Sequence, residues 1–321
     1  MDVIVFDSRE LSVALGALRA LVPRLSVRQA RYIEVVARLH GVALNAKQVA
    51  PLANERVAAV IADPHKRGRL VQLAVVMTLV DGELVPEPAA AVAELAAALA
   101  VDEQAVRLLP HLVERHRLTT RVMMMRRIMK KFVGEAWRDG GLRAVYGVLA
   151  NFFGGGANRA TAARYAALER YPAGSLGRAL WQHCKDNGFK LPGEGGGMPE
   201  RILFHDLGHL FSGFSTKPEG EIQQAAFQAG FVREDGFAFL FFGIIQFHLG
   251  IKITPVAEPE VGYFDVDKVM TALARGAACN VDLSANWDFW AHAARPLAEV
   301  RAELGIPAPG TPVMMVKPEA A

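Results

Sequence analysis

Apolar residues recur at intervals of three and four along nearly the whole chain, which is the spacing of one buried face on an α-helix. Ala, Leu, Arg and Glu, all good helix formers, dominate these segments. We therefore expect an all-α fold with two helical domains, residues 1–140 and 141–306. Glycines at 154–156 interrupt the pattern near the boundary, and the proline-containing tail, residues 307–321, is expected to lack fixed structure.

Two segments depart from this pattern. Residues 236–251 are apolar on all sides but span only 16 positions, fewer than the ~20 that a membrane-spanning helix needs. They predict a buried helix, or one that lines a lipid cavity through Phe239, Phe242 and Phe247. Residues 121–137 combine an apolar stripe with basic residues. Such a helix packs by its apolar face, or lies on an anionic membrane or a partner.

Composition limits the classes of function. The chain has 321 residues, 52% of them hydrophobic, and a net charge of +3, which gives no reason to expect nucleic-acid binding. Two cysteines outside any C-x-x-C pair indicate a reducing compartment. No secretory signal is recognisable at the start, so we expect a cytoplasmic protein.

A weak internal repeat relates residues 39–46 to residues 80–87, and in each copy a glycine suits the turn that ends a helix. The second copy carries Asp81, Glu83 and Glu87. Three carboxylates from one turn could hold a hard divalent cation. The alternative is an acidic helix start that the helix dipole favours. This arrangement resembles the TerB-like tellurite-resistance domain, whose members repeat a D-G-x-x-x-x-E turn.

The most informative stretch contains His205, Asp206 and His209. Positions four apart share one face of a helix, so the two imidazoles could bind one metal ion, as in H-E-x-x-H sites. Asp206 points about 100° away around the helix. It reaches the metal only if the helix tilts or water intervenes, and otherwise it orients a histidine. A turn then precedes Glu221, which is expected to begin a helix over residues 221–230. This turn would bring Glu221 back towards the metal.

The full pattern H-D-x-x-H-x(11)-E resembles the signature of the coenzyme Q biosynthesis protein 4 family. The segment Y-P-A-G-S-L-G-R at 171–178 and the segment R-P-L-A-E-V-R at 295–301, followed by E-L-G-I at 303–306, resemble other parts of that family. The order and spacing hold over about residues 150–306.

This resemblance implies a peripheral membrane protein of ubiquinone biosynthesis that acts on a prenylated aromatic quinone precursor and associates with other enzymes of the pathway. It implies one divalent metal ion (Zn, Fe, Mn or Co) held by His205, Asp206, His209 and Glu221. The implied reaction is oxidative decarboxylation at ring carbon 1 of a polyprenyl hydroxybenzoate. His248 and Arg275 are candidates for holding a carboxylate or supporting the site, and a homodimer stays open.

Two other interpretations remain. One is a lipid-binding scaffold with a structural metal, which a closed coordination shell would favour. The other is a phosphohydrolase of the HD type, whose central His-Asp pair resembles His205 and Asp206. That class also needs an upstream histidine and a downstream aspartate, for which the sequence offers His183 and then Asp265, Asp267 or Asp282.

Overall fold

The computed structural model describes residues 1, 5–130, 157–254, 257–285 and 287–313. Within these ranges the chain is all-α, and the only β-type contacts are two isolated bridges. The α-helices are α1 Ser8–Ala20, α2 Val27–Leu39, α3 Asn54–Val60, α4 Pro64–Leu79, α5 Pro86–Ala98, α6 Gln104–Val113, α7 117–130, α8 Arg159–Ala166, α9 Leu176–Asp186, α10 Phe204–Ser212, α11 Pro218–Phe231, α12 Phe237–Phe247, α13 Val266–Ala277, α14 Phe289–His292 and α15 Leu297–Glu303. Short 3₁₀ helices cover Ala46–Gln48, Ala167–Arg170 and Glu200–Ile202.

Local signals explain where several helices begin and end. The Asp7 side chain accepts hydrogen bonds from the amides of Arg9 and Glu10, and Ser26 caps α2 in the same way. These contacts satisfy amides that have no partner inside the helix. Gly41 and Gly82, the turn glycines of the repeat, both have a left-handed φ, as expected for residues that follow a helix.

The buried apolar residues form two clusters. The first combines helices α1 to α7 with parts of α11, α12 and α13. The second contains residues of α8 to α11 and of the chain beyond α13. The structure therefore does not confirm a split into domains 1–140 and 141–306, because three helices of the second proposed domain share a core with the first. Most of the expected boundary lies outside the described residues.

Helix α11 contributes to both clusters. Ile222 and Ala226 belong to the first cluster, and Phe227 and Phe231 belong to the second. Its close approach to α13 depends on Gly276, because a Cβ there would overlap the Phe227 carbonyl oxygen and lie 2.8 Å from the carbonyl carbon. A small residue at this crossing thus sets the distance between the two helices.

Polar contacts also join the two halves of the chain. Arg31 of α2 donates two hydrogen bonds to Asp267 at the start of α13, both at 2.7 Å, and Arg38 donates one at 2.7 Å. Arg127 of α7 is buried and donates two hydrogen bonds to Asp235, at 2.9 and 2.6 Å. These ion pairs join α2 to α13, and α7 to the turn before α12.

The apolar segment predicted over residues 236–251 forms α12, which is shorter and largely buried. No helix in the described part of the chain is long and apolar enough to cross a membrane. The basic segment is described only as far as residue 130, and there its Met123, Met125 and Ile128 pack against the first cluster. The rest of that predicted helix lies outside the described residues.

Candidate metal centre

Two helices bring the predicted ligands together. His205 and His209 lie on α10, which ends at Gly213 with a left-handed φ of 78°. Helix α11 begins at Pro218, three residues before the predicted start, so Glu221 lies in its first turn. The intervening turn reverses the chain and directs the start of α11 back toward the two imidazoles, as the sequence predicts.

The three side chains form a compact group. The Nε2 atoms of His205 and His209 are 3.3 Å apart, and the Glu221 carboxylate lies 3.5 Å from the first and 3.4 Å from the second. Ligand atoms about 2.1 Å from one ion at tetrahedral angles would be about 3.4 Å apart. The residues therefore fit a single divalent metal ion, and the group is one of two in the described residues whose ligand atoms all lie within 4.8 Å of one another.

The other ring nitrogens have partners that suit this role. Nδ1 of His209 lies 3.0 Å from the Phe214 carbonyl oxygen, and Nδ1 of His205 lies 3.4 Å from Oε1 of Gln228. Both acceptors favour the tautomer that carries its proton on Nδ1, which leaves each Nε2 lone pair available to a metal. Such outer hydrogen bonds orient imidazole ligands and increase their basicity.

The electrostatics of the group are those of a coupled imidazole and carboxylate. Burial alone would lower the pKa of His205, but the hydrogen bond and negative charge of Glu221 raise that pKa to about 9. Burial alone would raise the pKa of Glu221, but its bonds to His205 and His209 lower that pKa to about 2. A divalent cation would therefore compete with the proton on His205, as is general for imidazole ligands.

Asp206 is the remaining residue of the predicted metal set, but it is not part of this group. It is buried, and its Oδ1 atom lies 3.8 Å from Nε2 of His183 on α9. The His183 ring stacks on His209, with 5.7 Å between centroids. Adjacent positions on a helix point about 100° apart, which explains why Asp206 faces α9 while its neighbour faces α11. Asp206 thus contacts His183, which in turn packs against His209.

Gln224 connects the two ligand-bearing helices, and the sequence did not indicate this role. Its Nε2 donates to the His205 carbonyl at 3.1 Å, and its Oε1 accepts from the Ser212 hydroxyl at 3.2 Å. The side chain is fully buried and passes directly over Gly208. A glutamine one turn after Glu221 could have been noticed only with knowledge of how closely α10 and α11 pack.

The candidate lipid-contacting residues lie in different environments. Phe239 and Phe242 are half-buried, whereas Phe247 is buried in the first apolar cluster. The Phe239 ring meets Phe204, with 5.9 Å between centroids, so α12 contacts the first turn of the ligand-bearing helix α10. Of the three, Phe239 and Phe242 therefore retain surface that a ligand could contact.

His248 and Arg275 have structural partners. Nε2 of His248 lies 3.1 Å from the Leu79 carbonyl and 3.2 Å from the Val80 carbonyl, and its Nδ1 accepts from the Phe264 amide. This fully buried imidazole joins the end of α4 to the segment before α13. Arg275 donates to the Pro307 carbonyl at 2.9 Å and lies over the Phe214 ring. Only Arg275 therefore contacts the loop that positions His209.

The carboxylates proposed for a second metal do not converge. Asp81, Glu83 and Glu87 are absent from the two groups with metal-binding geometry. Asp81 instead accepts a hydrogen bond from the Ser26 hydroxyl at 2.8 Å. Its carboxylate therefore connects this turn to the start of α2, which is a structural contact.

Comparison with protein-family models, with characterised proteins and with solved structures finds no match to this chain.

Proposed function

We propose that this chain is a metal-dependent protein of ubiquinone biosynthesis that binds a polyprenyl hydroxybenzoate and acts in its oxidative decarboxylation at ring carbon 1. The observation that carries this proposal is the convergence of His205, His209 and Glu221 in a motif that resembles the coenzyme Q biosynthesis protein 4 signature. A role in organising other enzymes of the pathway at a membrane surface is compatible with it.

The exposure of the group supports a catalytic role over a structural one. The His209 side chain is 1% exposed, but the side chains of His205 and Glu221 are 31% and 18% exposed. Three protein ligands with one accessible side are typical of catalytic sites, whereas structural sites usually have four protein ligands. The scaffold interpretation would require a fourth ligand from the protein.

The residues around the group have separate tasks in this proposal. A bound divalent metal would supply Lewis-acid polarisation of a phenol or carboxylate oxygen. Phe214 and Gln228 orient the two imidazoles, and Phe239 offers an apolar surface beside α10 for a prenyl chain. Exchange of the ring carboxylate for a hydroxyl is a two-electron oxidation that releases carbon dioxide, so the reaction requires an oxidant such as dioxygen.

The phosphohydrolase interpretation has one observation in its favour, the proximity of His183 to Asp206. Its downstream aspartates are engaged elsewhere, however. Asp265 caps α13, Asp267 pairs with arginines of α2, and Asp282 accepts hydrogen bonds from Arg233 and Ser284. The interpretation also gives Glu221 no role, although Glu221 is the carboxylate that meets both imidazoles.

The first test is the metal content of protein purified without chelators, measured by mass spectrometry for the wild type, His205→Ala and Glu221→Ala. The exposed His65 provides a control variant, His65→Ala. We expect an equivalent of metal that both site variants lose and the control retains. Protein that binds no metal at this group, even after reconstitution, would contradict the catalytic proposal and favour a lipid-binding scaffold.

The second test uses a polyprenyl hydroxybenzoate labelled with ¹³C in its carboxyl group, with dioxygen present or excluded. We expect labelled carbon dioxide only with dioxygen and the metal-loaded wild type. Metal-loaded protein that releases none, but binds the substrate as shown by quenching of tryptophan fluorescence, would indicate a scaffold. Hydrolysis of phosphate esters would indicate the third interpretation.

A further inference from the structure

A second group of potential metal-ligating side chains lies in the first half of the sequence, where α6 ends. His111, Glu114 and His116 each offer a ligand atom, and these atoms all lie within 4.8 Å of one another. Nδ1 of His116 is 3.2 Å from the Glu114 carboxylate, and the two imidazole centroids are 5.8 Å apart. The sequence pattern is H-x-x-E-x-H.

The backbone explains how these residues meet. The His116 amide donates to the His111 carbonyl at 2.8 Å, and the Arg115 amide donates to the Leu112 carbonyl at 3.0 Å. This pair of bonds is the Schellman motif, which ends a helix and brings the residue after the turn against the last helical turn. An apolar pair usually fills that contact, and here it is filled by two histidines.

Two features of this turn bear on whether it binds a ligand. Arg115 occupies the left-handed position with a φ of 57°, where glycine is normally found. Ala100 adopts the same conformation, with a φ of 54°, where α5 ends, so the backbone alone does not mark a ligand site. The buried Nδ1 atom of His111 also has no hydrogen-bond partner in the described part of the chain. Buried polar atoms are rarely left in this state.

The electrostatics can accommodate a cation. The last carbonyls of α6 provide the negative end of the helix dipole, and Glu114 adds a full negative charge. The positive charges of Arg115 and Arg117 oppose cation binding. Both residues, however, help to line a neighbouring cleft of about 480 Å³, together with Glu83 and Val85. The side chains of Glu114 and His116 are 59% and 54% exposed, so a cation could reach them from solvent.

We propose that His111, Glu114 and His116 form a second metal site, for a borderline divalent cation such as Zn²⁺ or Ni²⁺. Two imidazoles and one carboxylate suit these ions, whereas Mg²⁺ and Ca²⁺ prefer oxygen ligands. This site is independent of the proposed reaction, since its ligands come from α6 and the turn after it.

Zn²⁺ binding to the full chain, measured by equilibrium dialysis and metal analysis, tests the proposal. The variants are His111→Ala/His116→Ala, His205→Ala/His209→Ala, the quadruple variant that combines these four substitutions, and the control His65→Ala. We expect two equivalents in the wild type and in the control, one equivalent in each of the first two variants and none in the quadruple variant. A hundredfold excess of Mg²⁺ should leave the second equivalent in place.

The outcomes separate this site from the first. A wild type with a single equivalent, lost only with His205 and His209, would overturn the second site and leave the first intact. Loss of an equivalent only with His111 and His116 would support the second site and contradict the first. If His65→Ala loses as much Zn²⁺ as the test variant, or Mg²⁺ displaces the ion, the proposed site is refuted. Circular dichroism checks that each variant is folded.

Discussion

Gly208 offers a direct test of how the ligand-bearing helices are held together. A Cβ at this position would lie 2.9 Å from Cδ and 3.3 Å from Oε1 of Gln224 and would overlap its Nε2 atom. Gln224 is fully buried and both ends of its amide are hydrogen-bonded, so it cannot move without losing these bonds. The Gly208→Ala variant must therefore displace this side chain or separate α10 from α11.

Either response has a cost that can be bounded. If Gln224 withdraws, it loses its bonds to the His205 carbonyl and the Ser212 hydroxyl, and each buried group left unsatisfied costs about 1–3 kcal/mol. If the helices separate, the overpacking costs about 1–3 kcal/mol, and Glu221 moves away from the imidazoles. Because the protein takes the less costly response, we expect a loss of about 1–3 kcal/mol in the free energy of unfolding, together with weaker metal binding.

Chemical denaturation and Zn²⁺ titration of Gly208→Ala provide the assay, with Gly68→Ala as a matched control. Gly68 lies in α4, and a Cβ there would meet no atom within 4 Å. Alanine at an unhindered helical position should stabilise the protein by about 0.4–1 kcal/mol. In Gly208→Ala/Gln224→Ala the steric conflict is absent, so the two losses should be less than additive. A Gly208→Ala protein as stable and as metal-binding as Gly68→Ala would refute this reasoning.

Three further substitutions test the contacts between helices. Asp267→Asn removes the half-exposed ion pairs with Arg31 and Arg38, so we expect a loss of only about 0.5–1 kcal/mol at pH 7 by urea denaturation. Because the arginines lower the pKa of Asp267 in the fold, this difference should disappear as the pH falls below about 4, and an unchanged difference at pH 2 would contradict the assignment. Arg127 also forms an ion pair with the buried Glu103. Arg127→Ala leaves this carboxylate without its cation and should cost about 3 kcal/mol in the same measurement, whereas a neutral effect would argue against the ion pair. Gly276→Ala places a methyl group against the backbone of α11 and should reduce the yield of soluble folded protein sharply, and normal recovery would contradict the close crossing.

The helical class and much of the candidate metal centre could be predicted because they depend on local spacing. The interval between His205 and His209 is a property of any α-helix, and the turn residues before Glu221 indicated the reversal of the chain. The same helical spacing indicated that Asp206 would point about 100° away from His205 around the helix. In the structure it lies beside His183 on another helix.

Other features could not be predicted because they depend on distant partners. Nothing near Asp81 in the sequence indicates that Ser26, 55 positions away, accounts for its carboxylate. The division predicted at residue 140 was not confirmed for the same reason. The sequence of an amphipathic helix shows which face is buried, but not which helix packs against that face. The group at His111 was missed because the left-handed turn that forms it carries Arg115 where a glycine would have been the signal.

The position of α11 in both apolar clusters links the candidate metal centre to the helices of the N-terminal half of the chain. An ion bound by Glu221 would stabilise α11, and every opening of the chain that requires α11 to leave its place would become rarer by the same free energy. Amides of α2 and α4, which share the first cluster with Ile222, should then exchange with deuterium more slowly when metal is added. Slower deuterium exchange in α2 and α4, which do not contribute to the candidate metal centre, would therefore report that an ion occupies it.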